Sequence, residues 1–262
     1  MRIKASGVQI NYEISGKEGG PVVVLSHSLA CSLVMWNPQM DVLNPQFRVI
    51  RYDMRGHGDS DVPPGPYTLE LLAEDVIGLT DALSIERFHF VGLSVGGMIG
   101  QALALNYQKR LRSLALCDTA SVAPPEAQPI WDERIKQTRA KGMESQVNET
   151  MERWFNPAFL KQNPPMVEII RKQILATPLD GYLGCAEAIR RLNYVDRLGE
   201  IKLPTLIMVG EDDPGTPVSA SKAINERING SSLVIIPSAR HLCNIEQAEA
   251  FNTALLDFLK NH

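Results

Sequence analysis

Short runs rich in apolar, often β-branched residues recur along the first half of the chain. They cover residues 21–26, 47–52, 87–91 and 111–117. Strands without a regular alternation of apolar and polar positions are typical of a parallel sheet whose two faces are both covered. The pattern therefore predicts four strands of a buried parallel sheet.

Segments with apolar residues at helical spacing separate these strands, most clearly at residues 69–83 and 95–106. Residues 3–15 predict an antiparallel hairpin at one edge of the sheet. Alternation of strand and helix predicts parallel crossover connections and an α/β fold. The strand pattern returns at residues 205–209 and 232–236, and a helix is predicted from about residue 247 to 259.

The alternation stops in the middle of the chain. Residues 120–195 predict amphipathic helices that are broken by prolines and that hold Trp131 and Trp154. The simplest arrangement is a single, mostly parallel α/β sheet of eight strands built from residues 1–119 and 196–262. The helices of residues 120–195 would then form a cap inserted between the sixth and seventh strands.

Composition narrows the classes of function. With 44% hydrophobic and 21% charged residues the chain can bury a large core, which excludes a disordered protein. A net charge of −4 without a basic cluster argues against a nucleic-acid partner. Neither a secretory leader nor an apolar run of membrane length is present, so no membrane partner is predicted. Four scattered cysteines without a C-x-x-C pair favour a reducing, cytoplasmic location.

A G-x-S-x-G sequence, Gly92 to Gly96, directly follows the third buried strand and opens a helix. Such a sharp turn strains the backbone of its serine and displays the hydroxyl above the carboxyl edge of the sheet. The helix N-terminus also directs free N–H groups at a developing oxyanion. Ser94 is therefore a candidate nucleophile, and the alternative is a small-residue turn that only packs a helix on a strand.

Around this motif the chain resembles the α/β-hydrolase superfamily over nearly its full length and, within it, the 3-oxoadipate enol-lactonases. The resemblance is carried by SHSL (26–29), RYDMRGHG (51–58), GPYT (65–68), GLSVGGMIG (92–100), RWF (153–155) and NIEQ (244–247). The RGHG block is common in the superfamily, whereas Trp131, Arg134 and the RWF segment match the lactonases more specifically. The resemblance implies an α/β-hydrolase fold, with a mostly parallel eight-stranded sheet and an inserted helical cap. It also implies a hydrolase of aromatic catabolism that needs no cofactor.

The resemblance also implies the chain order serine, acid, histidine for the catalytic residues. A serine hydroxyl needs a base that is itself oriented by a carboxylate. Of the five histidines, only His241 comes late, follows a strand by a short loop and directly precedes the last helix. Glu211, Asp212 and Asp213 compete as the acid. The family spacing G-x-x-D-x-x-x-P favours Asp213, with Asp212 as its rival.

An oxyanion hole needs two donors. The N–H of Val95, next after the nucleophile, is one. The family carries the other in an H-G-x loop after the first buried strand, which corresponds by position to Leu29. Ser28 replaces the family's glycine in this loop, and His27 is expected to brace the loop through hydrogen bonds of its ring.

The substrate of these lactonases is a small enol-lactone with a free carboxylate, which requires a cation or strong donors. Arg134 lies three residues after Trp131, on one face of a predicted helix. We expect Arg134 to bind the carboxylate while Trp131 and Trp154 wall the ring. The alternative is a surface arginine whose stem covers apolar cap residues.

The sequence thus predicts a serine hydrolase that opens 3-oxoadipate enol-lactone through an acyl-enzyme. A broad carboxylesterase, an acyl-homoserine-lactone hydrolase or a C–C bond hydrolase would keep the same triad, and a non-catalytic ligand-binding relative is a further alternative. Histidines at metal-ligand spacing, a G-x-G-x-x-G sequence and a Walker sequence are absent, so neither a metal nor a nucleotide is predicted. The expected partner is a small lactone or ester.

Overall fold

An eight-stranded sheet forms the centre of the computed structural model, which describes all 262 residues. Its strands are β1 Arg2–Ala5, β2 Val8–Gly16, β3 Val22–Ser26, β4 Arg48–Tyr52, β5 Phe88–Leu93, β6 Leu111–Cys117, β7 Thr205–Gly210 and β8 Ser232–Ile236. Their order across the sheet is β1-β2-β4-β3-β5-β6-β7-β8. The pairs β1–β2 and β2–β4 are antiparallel, and all other pairs are parallel. The predicted mostly parallel α/β sheet is confirmed.

The strands with continuous apolar runs lie inside the sheet, except β8, which forms its second edge. Every residue of β5 and of β7 is buried, and β6 exposes only Arg112. Because both faces of these strands are covered, their sequences show no alternation of apolar and polar residues. The predicted hairpin is also present, since β1 pairs with β2 at one edge of the sheet.

Eleven α-helices accompany the sheet: α1 Asn37–Leu43, α2 Leu69–Ala82, α3 Val95–Asn106, α4 Gln128–Lys141, α5 Val147–Trp154, α6 Pro157–Gln162, α7 Pro165–Ala176, α8 Leu179–Arg190, α9 Val218–Asn225, α10 Cys243–Glu246 and α11 Ala248–Lys260. The helices predicted at 69–83, at 95–106 and at the end of the chain agree with α2, α3 and α11 within one residue. The prediction that His241 directly precedes the last helix is wrong, because the short α10 intervenes. Gln247 separates α10 from α11 with a non-helical backbone (φ −127°, ψ 55°).

Helices α4 to α8 lie in residues 120–195, between β6 and β7, and we call these residues the cap segment. Its two ends are held side by side, because Val122 and Asn193 form an antiparallel bridge. Two backbone hydrogen bonds make this bridge, from the N–H of Ala123 to the carbonyl oxygen of Leu192 at 2.9 Å and from the N–H of Tyr194 to that of Ser121 at 2.7 Å. The chain therefore leaves and rejoins the sheet at one place. We propose on this ground that the cap segment is an insert in a core formed by residues 1–119 and 196–262.

The backbone of α8, in the cap segment, lies very close to the loop that follows β4. A Cβ atom at Gly181 of α8 would lie 1.8 Å from the carbonyl oxygen of Gly56, in the loop after β4. Gly56 itself has a φ of 78°, which favours glycine. Further along α8, a Cβ atom at Gly184 would lie 2.7 Å from the ring of Tyr67. Glycines are thus required where α8 contacts the core.

One hydrophobic cluster of 74 buried residues runs through both parts of the molecule. It includes Phe90 and Leu116 of the sheet as well as Met151 and Ile170 of the cap segment. The apolar side chains of the cap segment are therefore continuous with the core of the sheet. No helix combines the length and the apolar character that a membrane-spanning segment needs.

Candidate active site

Several predicted site residues lie in loops that leave the carboxyl ends of parallel strands. Ser94 follows β5, Asp213 and His241 lie after β7 and β8, and Leu29 lies after β3. Because the carboxyl ends of parallel strands meet at one edge of a sheet, these loops are neighbours. All four residues line one cavity of about 730 Å³. The cap segment contributes three further predicted residues to the same lining: Trp131, Arg134 and Trp154.

Ser94 sits on a sharp strand-to-helix turn. Its backbone has φ 58° and ψ −118°, an unusual conformation for a residue with a side chain. A Cβ atom at Gly92 would lie 2.1 Å from the carbonyl oxygen of Gly96, and one at Gly96 would lie 2.3 Å from that of Ser26. Both glycines of the motif are therefore needed for the turn that presents Ser94 to the cavity.

Asp213 and His241 form a buried hydrogen-bonded pair. His241 Nδ1 lies 2.8 Å from Asp213 Oδ2. The carboxylate of Asp213 also accepts hydrogen bonds from the N–H of Gly215 at 2.8 Å, and from the N–H and hydroxyl of Thr216 at 3.2 and 2.6 Å. Burial alone would raise the pKa of Asp213, but the positive charge of His241 and these hydrogen bonds lower it from 3.8 to about 2. Asp213 is therefore ionised near neutral pH.

The imidazole of His241 has one nitrogen bound to Asp213 and one without a protein partner. Burial alone would lower the pKa of His241, but the charge and hydrogen bond of Asp213 raise it above its ordinary value of 6.5. His241 and Ser94 both line the cavity, without a direct hydrogen bond between Nε2 and the hydroxyl. Catalytic hydrogen bonds are often long before substrate binds. Both groups are thus open to a ligand in the cavity.

The two rival acids point away from His241. Asp212 and Glu211 are exposed, whereas Asp213 is buried. Asp212 accepts a hydrogen bond from the side chain of Asn156 at 3.4 Å. Glu211 accepts one from the N–H of Ser238 at 3.2 Å. Of the three neighbouring carboxylates, Asp213 is the one that contacts the imidazole.

Two backbone N–H groups beside the cavity have no acceptor in the protein. Leu29 donates to none of the backbone or side-chain groups around it. Val95 is the first residue of α3, where an N–H has no partner within the helix. Ser28, which stands at the family's glycine position, lines the cavity with a buried hydroxyl that has no hydrogen-bond partner. Unused donors therefore border the cavity on this side.

Two buried histidines hold the loop that carries Leu29. His27 Nε2 accepts from the N–H of Met54 at 3.0 Å, and its Nδ1 lies 2.7 Å from the carbonyl oxygen of Ser28. His57 Nε2 accepts from the N–H of Ala30 at 3.1 Å. Burial lowers the pKa of His27 to about 4 and that of His57 to about 3, so both rings are neutral and can accept. The bracing role expected for His27 agrees with these contacts.

Two arginines place positive charge on the cap side of the cavity. Arg134 lies over the indole of Trp131, with its guanidinium carbon 4.6 Å from the ring centroid, as their three-residue spacing predicts. Arg153, which was not among the predicted site residues, also lines the cavity. Burial and then the charge of Arg134 lower the pKa of Arg153 from 12.5 to about 10. Arg153 directly precedes the predicted site residue Trp154 in the RWF segment, and this position could have indicated that Arg153 lines the site.

Asp118, a buried carboxyl directly after β6, was not among the predicted site residues. The ligand atoms of Asp118, Asp213 and His241 lie within 4.8 Å of one another, so this group could hold a metal ion by spacing alone. Its oxygens and nitrogen are instead occupied by hydrogen bonds to each other and to neighbouring donors. The arrangement is that of an acid–base pair. The signal that selected Asp213, a carboxylate soon after a buried strand, was also present at Asp118.

Comparison with known proteins finds a matching family and several similar proteins. The family described as "alpha/beta hydrolase fold" matches residues 21–248. A 3-oxoadipate enol-lactonase of Acinetobacter baylyi is 34% identical, over 98% of this chain and 96% of the relative. The crystal structure of the enol-lactonase from Burkholderia xenovorans superposes with a TM-score of 0.95 at 37% identity, and covers 99% of this chain and 100% of the other. A protein of Agrobacterium fabrum that is assigned as a carbamate hydrolase is 30% identical over 95% of this chain and 98% of its own.

Proposed function

The chain belongs to the α/β-hydrolase fold family, and we propose on this basis that it is a serine hydrolase of small carboxylate-bearing enol-lactones. The substrate that we propose first is 3-oxoadipate enol-lactone. Enol-lactonases are among the relatives that match over the full length of the chain. The cavity offers Ser94, a histidine–carboxylate pair and two arginines of the cap segment, which are groups that this chemistry can use.

The first half of the reaction forms an acyl-enzyme. Ser94 Oγ attacks the lactone carbonyl, and His241 Nε2 takes the hydroxyl proton. Asp213 holds the imidazole in the tautomer with a proton on Nδ1 and stabilises the imidazolium that forms. The 2.8 Å contact between Asp213 and His241 is the observation that supports these roles most directly.

The carbonyl oxygen becomes negatively charged as the tetrahedral intermediate forms. We assign the stabilisation of this oxyanion to the N–H groups of Leu29 and Val95. Preorganised donors of this kind are each worth about 3 kcal/mol of transition-state stabilisation. The hydrogen bonds from His27 and His57 keep the Leu29 loop in place while the charge develops.

The ring C–O bond then breaks, and the imidazolium of His241 returns its proton to the enol oxygen. An enolate is a better leaving group than an ordinary alkoxide, so this step needs less assistance. The ring-opened enol stays attached to Ser94 through its acyl chain and tautomerises to the ketone. Water, deprotonated by His241, finally attacks the ester and releases the keto acid and the Ser94 hydroxyl.

The free carboxylate of the substrate would be bound on the cap side. We assign it to Arg134, with the indoles of Trp131 and Trp154 beside the lactone ring. The contact of Arg134 with Trp131 presents the guanidinium to the cavity and limits its freedom. Arg153 adds a second positive charge nearby, which favours an anionic substrate over a neutral ester.

A direct comparison of substrates tests the proposal. The purified protein should hydrolyse 3-oxoadipate enol-lactone with a kcat/KM at least about 100-fold above that for p-nitrophenyl acetate, since charged hydrogen bonds contribute about 1.5–3 kcal/mol each. An equal or higher kcat/KM for the neutral ester would contradict the lactonase proposal and indicate a general esterase. A higher kcat/KM for a small carbamate would instead indicate the activity assigned to the relative from Agrobacterium fabrum. Ser94→Ala is the control that assigns the measured rate to this site.

A further inference from the structure

We propose that Asp118 is a second acid for His241, a positioning residue that ionises and partly replaces Asp213 in stabilising the imidazolium when Asp213 cannot carry charge. The inference rests on the proposed function, because it concerns the base of that reaction. It assigns a role to a buried carboxyl that the mechanism above does not use.

The fold places Asp118 next to both members of the pair. Strand β6, which ends at Cys117, is the neighbour of β7 in the sheet. Asp118 therefore leaves the same edge as Asp213, and its N–H donates to the carbonyl oxygen of Met208 at 2.8 Å. Its carboxylate oxygen lies within 4.8 Å of the nearest such atom of Asp213 and of a ring nitrogen of His241. At that distance a carboxylate interacts strongly with a buried imidazolium.

The conformation of Asp118 is held from two sides. Its Oδ1 accepts from the N–H of Gly210 at 2.8 Å, and its Oδ2 accepts from the thiol of Cys243 at 2.8 Å. Gly210 ends β7, and Cys243 lies two residues after His241. A φ of 41° at Asp118 is unusual for a residue with a side chain. These contacts therefore hold the carboxyl of Asp118 between the end of β7, which precedes Asp213, and the loop that carries His241.

The unequal number of donors decides where the negative charge lies at rest. Asp213 accepts from His241, from two backbone N–H groups and from a hydroxyl, whereas Asp118 accepts from one N–H and one weak thiol donor. Two carboxylates this close in a buried site do not both ionise readily. Asp213 therefore carries the charge, and burial keeps the pKa of Asp118 above its ordinary value. When Asp213 is neutralised, the repulsion disappears and Asp118 ionises more easily.

Few other ionisable groups face Asp118. Asp213 and His241 lie across from it, Cys243 donates to it, and Cys117 precedes it on its own strand. Arg153, on the cap segment, acts on His241 from the other side and lowers its pKa. No buried cation compensates Asp118, so the imidazolium of His241 is its one close positive partner.

A double-mutant cycle tests this role. Asp118→Asn keeps a side-chain oxygen for the Gly210 N–H and removes the charge. In the otherwise unchanged enzyme it should lower kcat/KM less than about tenfold. In the Asp213→Asn background the same change should cost more than about thirtyfold, and bring the total loss to that of a triad without an acid, about 10⁴-fold. Asp212→Asn is the matched control, because Asp212 is an exposed carboxylate directly before Asp213. It should change kcat/KM by the same factor with and without Asp213→Asn.

Titration of His241 by NMR in the same proteins gives a readout that does not depend on activity. In the Asp213→Asn protein, the further change Asp118→Asn should lower the pKa of His241 by more than it does in the presence of Asp213. Equal effects of Asp118→Asn in both backgrounds, in rate and in titration, would overturn the inference and leave Asp118 a structural residue. If instead the unmodified protein hydrolysed no ester or lactone, the proposed function would fail, while the titration would still decide the question of Asp118.

Discussion

The indole of Trp154 lies nearly parallel to the imidazole of His241, with ring centroids 6.1 Å apart and planes at 26°. The contact joins α5 of the cap segment to the loop after β8. Close by, the N–H of Leu242 donates to the carbonyl oxygen of Trp154 at 3.2 Å. The position of the histidine therefore depends on the cap segment as well as on the sheet.

Trp154→Ala should disturb both stability and chemistry. Trp154 is buried, so its truncation should lower the free energy of unfolding by about 3–5 kcal/mol. Loss of packing against His241 should lower kcat by about tenfold or more, because small displacements of a catalytic group are costly. Trp154→Phe, which keeps an aromatic face, should retain most of kcat. Denaturant unfolding and steady-state kinetics measure the two effects, and an unchanged kcat in the alanine variant would contradict the coupling.

Ser94→Ala should abolish turnover while the fold persists. Removal of the nucleophile of a triad costs about 10⁶-fold in kcat. A fluorophosphonate probe should label the unmodified protein at Ser94, as read by mass spectrometry, and should not label the variant. Ser121→Ala removes another serine hydroxyl from the lining of the same cavity, and this control should be labelled normally. Near-normal turnover by Ser94→Ala would refute the mechanism.

Arg134→Leu should raise KM for the anionic lactone by about 10- to 100-fold, since a hydrogen bond to a charged group contributes about 1.5–3 kcal/mol. Hydrolysis of neutral p-nitrophenyl acetate should change little. Arg139→Leu, at an exposed position on the same helix, is the matched control and should leave both KM values as they are. An unchanged KM for the lactone in Arg134→Leu would remove Arg134 from the carboxylate site.

The pH dependence of kcat/KM should follow His241. The reaction needs the neutral imidazole, so kcat/KM should fall as the pH decreases through a pKa above 6.5. Asp213, with a pKa of about 2, stays ionised throughout this range. Asp213→Asn removes the group that raises the pKa of His241. The acid limb of the pH–rate profile should therefore move to lower pH, and a shift to higher pH would contradict the assignment.

Gly181→Ala tests how closely α8 packs on the core. The added Cβ atom would lie 1.8 Å from the carbonyl oxygen of Gly56, so the helix must shift. Overpacking of this kind costs about 1–3 kcal/mol in the free energy of unfolding. Gly199→Ala is the control, because its nearest neighbour would lie 3.9 Å away. It should be neutral or stabilising by up to about 1 kcal/mol, and equal Tm values for the two variants would contradict the close contact.

The inner strands, three helices and the turn at Ser94 could be predicted from local sequence. Apolar runs predicted the inner strands, and helical spacing predicted α2, α3 and α11 within a residue, because backbone conformation and burial of one face depend on neighbouring residues. The turn at Ser94 was also readable, since only glycine at positions 92 and 96 leaves room for the backbone there. The assignment of Asp213 and His241 as catalytic residues drew on family resemblance and stays a proposal.

Only the tertiary structure decided which distant residues meet. Whether Asp118 lies beside His241 depends on the order of β6, β7 and β8 in the sheet, which no local pattern records. The stacking of Trp154 on His241 and the contact of Gly56 with Gly181 depend likewise on how the cap segment packs on the core. Periodicity along a chain reports which face of an element is buried, whereas the partner buried against it is selected by packing of the whole molecule.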